Sequence, residues 1–95
     1  MKHILAPLVL MLGLAALPVA AEPCFADYKA KQDDPLRLHY GVIELRDGCA
    51  PASARNEVTA RLKRNGWTLL GVLSVFGPDG LEERKADAGP YYLRF

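Results

Sequence analysis

The sequence predicts an α+β domain in which one helix packs on one face of an antiparallel sheet of three to four strands, preceded by a cleaved signal peptide. Three observations predict it: an uncharged apolar N-terminal stretch, strand-like runs over residues 36–45 and 67–76, and helical periodicity between those runs. A chain of 95 residues holds one small domain. Its 12 basic and 11 acidic residues leave no net field that would attract nucleic acid.

Residues 1–21 have the pattern of a secretory signal peptide. Lys2 precedes a long uncharged apolar stretch, Pro18 interrupts it, and small residues follow up to Ala21. We therefore expect cleavage between Ala21 and Glu22. The protein would then be periplasmic, and it would meet the membrane only through the signal peptide during export.

Two alternatives to cleavage stay open at this stage. The apolar stretch reaches the lower limit of a membrane span, so an uncleaved anchor is one of them. Attachment of a lipid to Cys24 is the other, although Glu22 and Pro23 do not fit the small residues that precede a lipid-modified cysteine.

The two cysteines, Cys24 and Cys49, both lie in the exported part of the chain. In an oxidising compartment they are expected to form one disulfide, which on the chain-entropy model stabilises the fold by about 3.5 kcal/mol. The alternatives are an intermolecular bond or free thiols, and redox chemistry, for which the two cysteines lie unusually far apart. The predicted organisation is an N-terminal segment, 22–35, tied by this disulfide to a β-α-β-β domain, 36–95.

The first part of the exported chain contains one ambiguous segment and one clear strand. Residues 25–31 alternate loosely but also fit helical spacing, so either structure is open. Pro35 and the two acidic residues before it predict a turn. Residues 36–45 predict a strand, in which a bulge near Gly41 would bring the apolar side chains to one face.

A helix is predicted to begin at Pro51, because proline suits the first helical turn. Ala54, Val58 and Leu62 recur at intervals of four residues and form a narrow apolar stripe. Gly66 predicts the end of the helix, because glycine tolerates the left-handed cap geometry.

The last third of the chain predicts two strands separated by a charged segment. Residues 67–76 are apolar on both alternating faces, which predicts a central strand. Residues 81–88 are highly charged and predict a long hairpin arm or a mobile loop. Residues 91–95 predict a final strand.

The step from the helix into the next strand resembles that of a known group. Gly66, Trp67 and Leu69 form a Gly-Trp-x-Leu step, which resembles small exported proteins of Gram-negative bacteria with a β-α-β-β domain. The resemblance covers about residues 36–95. It implies that the glycine caps the helix and that the tryptophan packs against the sheet, and it implies no particular chemistry.

No catalytic residue, metal site or cofactor is predicted. His39 is the only histidine after the signal segment, so no second histidine is present to activate a nucleophile or to complete a ligand pair. A single histidine within a strand usually has a structural role.

An interaction surface is predicted from the aromatic residues near the C-terminus. A sheet covered by one helix protects one face, yet these aromatic residues alternate between both faces. Burial beneath the segment from Phe25 to Tyr28 is the equally weighted alternative. The candidate surface residues are Trp67, Phe76, Tyr91 and Tyr92.

The resulting functional hypothesis is a non-enzymatic interaction or structural module that associates with itself or with an envelope protein. The alternative is a small enzyme or enzyme subunit that uses Arg37, His39 or Glu44 on the strand over 36–45, and a pocket joining these residues would favour it. A small-ligand carrier is a third hypothesis, which requires a cavity that so short a chain can barely enclose.

Overall fold

The computed structural model describes residues 22–95, and the predicted signal peptide lies outside them. The α+β class and the antiparallel sheet are confirmed, and the sheet has three strands in the order β2-β1-β3. Two short 3-10 turns, Pro78–Gly80 and Gly89–Tyr91, flank the second helix. The regular elements are β1 (Cys24–Gln32), β2 (Arg37–Leu45), α1 (Pro51–Arg64), β3 (Thr68–Phe76) and α2 (Leu81–Ala88).

The central strand is β1, formed by the segment whose sequence left helix and strand open. It pairs with β2 in an uninterrupted antiparallel register that runs from Cys24 opposite Leu45 to Gln32 opposite Arg37. Residues 22–35 therefore supply the middle of the sheet. The prediction that residues 67–76 form the central strand is wrong, because within the described residues β3 pairs with β1 alone and lies at an edge.

Two bulges in β3 shift its pairing with β1. Asp27 and Tyr28 are adjacent in β1, but their partners Ser74 and Val72 are separated by Leu73. The second shift leaves Leu70 as an extra residue in the same way. Each bulge places two residues of β3 against one of β1, which increases the local twist of the strand.

The bulge predicted near Gly41 is absent, and Gly41 has a different role. It lies opposite Tyr28 in the regular part of the β1–β2 register. A Cβ atom on Gly41 would collide with the Tyr28 ring, which is fully buried directly above it. The glycine therefore provides the space that the tyrosine ring occupies on this face of the sheet.

The predicted helix is confirmed as α1, which begins at Pro51. Ala54, Val58 and Leu62 are completely buried and pack on one face of the sheet against residues that include Ile43. The helix ends before Gly66, which has a φ of 83° and so adopts the left-handed conformation that its sequence position predicted.

A second helix covers part of the opposite face, so the expectation of one helix on one face is corrected. Residues 81–88 form α2 rather than a hairpin arm or loop. Ala88 and the partly buried Leu81 pack against Phe25 and Val42. A two-residue apolar contact is too small to produce a recognisable stripe, which is why the charged segment did not predict a helix.

The final strand predicted over residues 91–95 is not formed. The chain turns at Gly89, where φ is 53°, and then meets β2 through a single parallel bridge between Val42 and Tyr92. Leu93 donates its N–H to the Val42 carbonyl oxygen at 2.9 Å, but its φ of 54° ends the extended conformation. One bridge is therefore all that this segment adds to the sheet.

The predicted disulfide between Cys24 and Cys49 is present, with a Cα–Cα distance of 6.0 Å. It connects the beginning of β1 to the turn that precedes α1. Within residues 22–95, no helix is both long and apolar enough to span a membrane.

Candidate interaction surface

His39 lies in a buried aromatic cluster on the α1 side of the sheet. Its ring stacks on Tyr91 with centroids 3.7 Å apart and meets the edge of Trp67 at 4.3 Å. Its Nε2 atom shares a 2.9 Å hydrogen bond with the Tyr28 hydroxyl group. Burial lowers the pKa of His39, and the charge of Arg94 lowers it further. The imidazole is therefore neutral at pH 7.

Arg37, His39 and Glu44, the three residues of the enzyme hypothesis, do not line a common groove. Arg37 and Glu44 are exposed, whereas His39 is buried. The groove that His39 helps to line contains neither of the other two. Glu44 instead borders a groove beside the disulfide at the far end of β2.

The four aromatic residues of the predicted surface are half-buried and divided between the two faces. Trp67 and Tyr91 lie together on the α1 side, with ring centroids 5.7 Å apart. Phe76 and Tyr92 belong to the α2 side, where Phe76 stacks on Phe25 at 6.1 Å. The structure therefore brings these residues together as two pairs and not as one strip.

A buried carboxylate, that of Asp27, connects all three strands to α2. It accepts hydrogen bonds from the hydroxyl groups of Ser74 at 2.6 Å and Tyr40 at 2.9 Å, and from Nε of Arg84 at 3.0 Å. Arg84 also lies over the Phe76 ring, 4.0 Å from its centroid. This network anchors α2 on the sheet.

The network changes the pKa values of its members in opposite directions. Burial by itself raises the pKa of Asp27, but the hydrogen bonds from Ser74, Tyr40 and Arg84 outweigh it and hold the pKa below 3.8. Burial and the bond to Asp27 raise the pKa of Tyr40 to about 12. Asp27 is therefore ionised and Tyr40 protonated at pH 7.

We expect Asp27→Asn to lower the free energy of unfolding at pH 7 by about 2 kcal/mol, because Arg84 loses its buried counter-charge. The folded-state pKa of Asp27 is depressed, so this stabilisation is present above the unfolded pKa and is lost as the pH falls through the folded value. The difference in unfolding free energy between wild type and variant, measured by urea denaturation, should thus become smaller below about pH 4. Asp79→Asn, at an exposed position, is the matched control. A difference in unfolding free energy that does not change with pH would contradict the ionised state assigned to Asp27.

A second buried network joins α1 to β2 and to the C-terminal segment. Arg61 donates to the Glu57 carboxylate at 2.7 Å and to the carbonyl oxygens of Glu44 and Phe95. Glu57 also accepts the backbone N–H groups of Arg46 and Asp47, each at 3.0 Å. These polar atoms satisfy one another, which is the arrangement of a structural ion pair.

The exposed apolar surface consists of leucines, which sequence reasoning did not identify. Leu70 and Leu73, the two bulge residues of β3, are 52% and 54% exposed. Leu73 borders a groove on the α1 side and Leu70 a groove on the opposite side, as residues three apart in a strand do, so their spacing gave no signal of exposure. The complete set of large exposed apolar residues among residues 22–95 is Leu36, Leu38, Leu70, Leu73 and Leu93.

The outer edge of β3 is open. Within residues 22–95 no strand pairs with it, and the strand contains neither a charged residue nor a proline. Natural sheets usually protect an exposed edge with charges, prolines, bulges or a covering segment, and of these β3 has the bulges alone.

Two grooves run between α1 and β3, with volumes of about 510 and 330 Å³. Residues of α1 and β3 line both grooves, and Trp67, between these elements, lines the smaller one, which places the grooves on the flank of β3 that faces away from β1. Their charged residues are Arg55 in the first and Lys63 in the second. A third groove of about 260 Å³, on the opposite face, includes Leu38, Leu70 and Lys29.

Comparisons of the chain with protein-family models, curated proteins and solved structures find no match. Among residues 22–95, no group of three or more histidine, cysteine, aspartate or glutamate side chains is arranged to hold a metal ion. The fold and the surface together define a small disulfide-bonded α+β domain with one open, uncharged strand edge.

Proposed function

We propose that this protein is an exported, non-enzymatic interaction module that binds an envelope protein in the periplasm through the outer edge of β3. The observation that carries the proposal is the uncharged edge of nine residues, on which Leu70 and Leu73 are more than half exposed. Unpaired backbone groups and exposed aliphatic side chains at one edge are the features used in recognition by strand addition.

The ionisable residues support a binding role because the described fold uses them for its own packing. His39 stacks within the aromatic cluster, Asp27 anchors α2, and Glu57 pairs with Arg61. Each of these three side chains is less than a tenth exposed. Side chains held in this way are positioned for packing within the fold.

Export is supported by the signal-peptide pattern of residues 1–21 and by the disulfide. A bond between Cys24 and Cys49 persists in an oxidising compartment such as the periplasm and is rare in the cytosol. Attachment of the first residues of β1 to the turn before α1 also protects a terminus that would otherwise fray.

Site-specific photo-crosslinking in living cells tests the proposal. A photoreactive residue at Leu70 or Leu73 should produce defined adducts with an envelope protein, because both side chains project beside the open edge. The same residue at Glu82, exposed on α2, is the matched control. Adducts that form equally from Glu82, or no adducts from either leucine, would overturn the proposed surface.

The same cells test the location of the protein. The crosslinked protein should be recovered in the periplasmic fraction, and sequencing of its N-terminus should begin at Glu22. Recovery in the cytosolic fraction with Met1 retained would contradict the export half of the proposal.

A further inference from the structure

We infer, on the basis of the proposed function, that the partner contributes an extended strand carrying two carboxylates four residues apart with an aliphatic residue midway between them. This strand pairs with β3 and places those three side chains on the α1 side of the sheet. The inference rests on the charge and the spacing of the groove residues along α1.

The charged residues that line the two grooves are both cationic. Arg55 and Lys63 are exposed on α1, and neither forms an ion pair with any residue in the range 22–95. The remaining groove surface is largely apolar and includes Val72, Leu73 and Val75. A strand with carboxylates and aliphatic side chains complements both properties.

The spacing of the two cations matches an extended strand. Helix α1 runs antiparallel beside β3, because Arg55 shares a groove with residues 72–75 and Lys63 shares one with Trp67 and Leu69. The two cations lie eight residues apart in the helix, a rise of about 12 Å. Residues four apart in a strand point to the same face and lie about 13 Å apart.

The alternate side chains of the added strand face the opposite side of the sheet. The exposed β3 residue on that side is Leu70, which borders a groove that continues over β1 and β2. Aliphatic residues on either side of the central position would therefore pack against Leu70. Over five consecutive residues, the partner strand is therefore acidic, aliphatic, aliphatic, aliphatic and acidic.

A second copy of this chain fits the edge less well. Antiparallel pairing of two β3 strands about a two-fold axis would place both α1 helices on the same face of the joined sheet. Arg55 and Lys63 of each copy would then meet across the seam. The single acidic residue of α1, Glu57, is buried and already paired with Arg61, so it could not compensate them.

A labelled, end-blocked peptide, Ser-Thr-Glu-Val-Ile-Val-Glu-Thr-Ser, is the probe, and its binding to the oxidised protein is measured by fluorescence anisotropy at low salt. A second peptide with lysine in place of both glutamates should bind about tenfold more weakly, because two attractive contacts become repulsive. Arg55→Glu/Lys63→Glu should reverse this preference. The control variant Arg37→Glu/Lys85→Glu changes the net charge by the same amount at distant exposed positions. It should keep the preference for the glutamate peptide.

Leu73→Asp, which adds a negative charge to the open edge at an exposed position, should weaken binding of the glutamate peptide while circular dichroism shows an intact fold. Equal binding of the two peptides, no binding of either, or an unchanged preference in Arg55→Glu/Lys63→Glu would overturn the inference. So would a wild-type dimer that Leu73→Asp dissociates in analytical ultracentrifugation, because the occupant would then be a second copy.

The two experiments separate the acidic-strand partner from the proposed function. If Leu70 and Leu73 still form crosslinks but the protein does not prefer the glutamate peptide, only the acidic-strand partner is overturned. If the crosslinks and the peptide preference are both absent, the proposed function and the acidic-strand partner are both overturned.

Discussion

Glu57→Ala should lower the free energy of unfolding by about 3–5 kcal/mol, which is the cost of breaking a buried ion pair by removing one partner. Glu57 and Arg61 are each 7% exposed, so the cation that remains would lose its only ion-pair partner in residues 22–95 and keep its hydrogen bonds to two carbonyl oxygens. The change also removes the acceptor for the backbone N–H groups of Arg46 and Asp47. The two losses act on α1 and on the turn after β2 at the same time.

The measurement is urea denaturation of the oxidised protein, monitored by circular dichroism at pH 7. Glu57→Gln should fall between wild type and Glu57→Ala, because its amide oxygen still accepts a hydrogen bond. Glu82→Ala, an exposed position in α2, should change the free energy of unfolding by less than about 0.5 kcal/mol. A loss below 1 kcal/mol for Glu57→Ala would show that water reaches Arg61 in the folded protein.

The pH dependence of the same variant provides an independent check. Burial raises the pKa of Glu57, but hydrogen bonds from the backbone at Asp47 and Arg46 and the contact with Arg61 outweigh it and leave the pKa lowered. A depressed folded-state pKa means that the stabilisation is present at neutral pH and is lost in acid. The gap between wild type and Glu57→Ala should accordingly narrow as the pH falls below the usual pKa of a glutamate.

Removal of the disulfide is the second large effect. The double variant Cys24→Ala/Cys49→Ser should lose about 3.5 kcal/mol of unfolding free energy, because the loop of 25 residues is no longer closed in the unfolded chain. Alanine suits the buried position of Cys24, and serine suits the exposed position of Cys49. For so short a domain this is a large fraction of the total stability.

Reduction provides the matched control for the disulfide. A thiol reductant should lower the urea midpoint of the wild type toward that of the double variant, and it should leave the double variant unchanged. If the wild-type midpoint does not respond to complete reduction, the bond contributes nothing to stability and the first residues of β1 are held by packing alone.

Local patterns predicted the elements whose formation depends on neighbours in sequence. Helix α1 follows from Pro51, the stripe that ends at Leu62 and the cap at Gly66, all of which act within one or two helical turns. The pairing of Cys24 with Cys49 was likewise determined once two cysteines were assigned to one oxidising compartment.

Interactions between distant segments decided what the local patterns left open or predicted wrongly. The order β2-β1-β3 depends on pairings across the whole domain, and an apolar pattern on both faces cannot distinguish a central strand from an edge strand with bulges. Helix α2 depends on Arg84 reaching Asp27, a contact between residues 57 positions apart. The single bridge at Tyr92 depends on the position at which α2 ends, because the residues that follow it meet β2 there.

The candidate surface divides in the same way. Composition and helical spacing are local properties, so they show which residues are apolar and which cations α1 carries. That Trp67 and Phe76 are packed while Leu70 and Leu73 are exposed depends on contacts between distant segments. The cause is the pair of bulges in β3, since each extra residue has no partner in β1 and lies in a strand whose outer side pairs with no strand in residues 22–95.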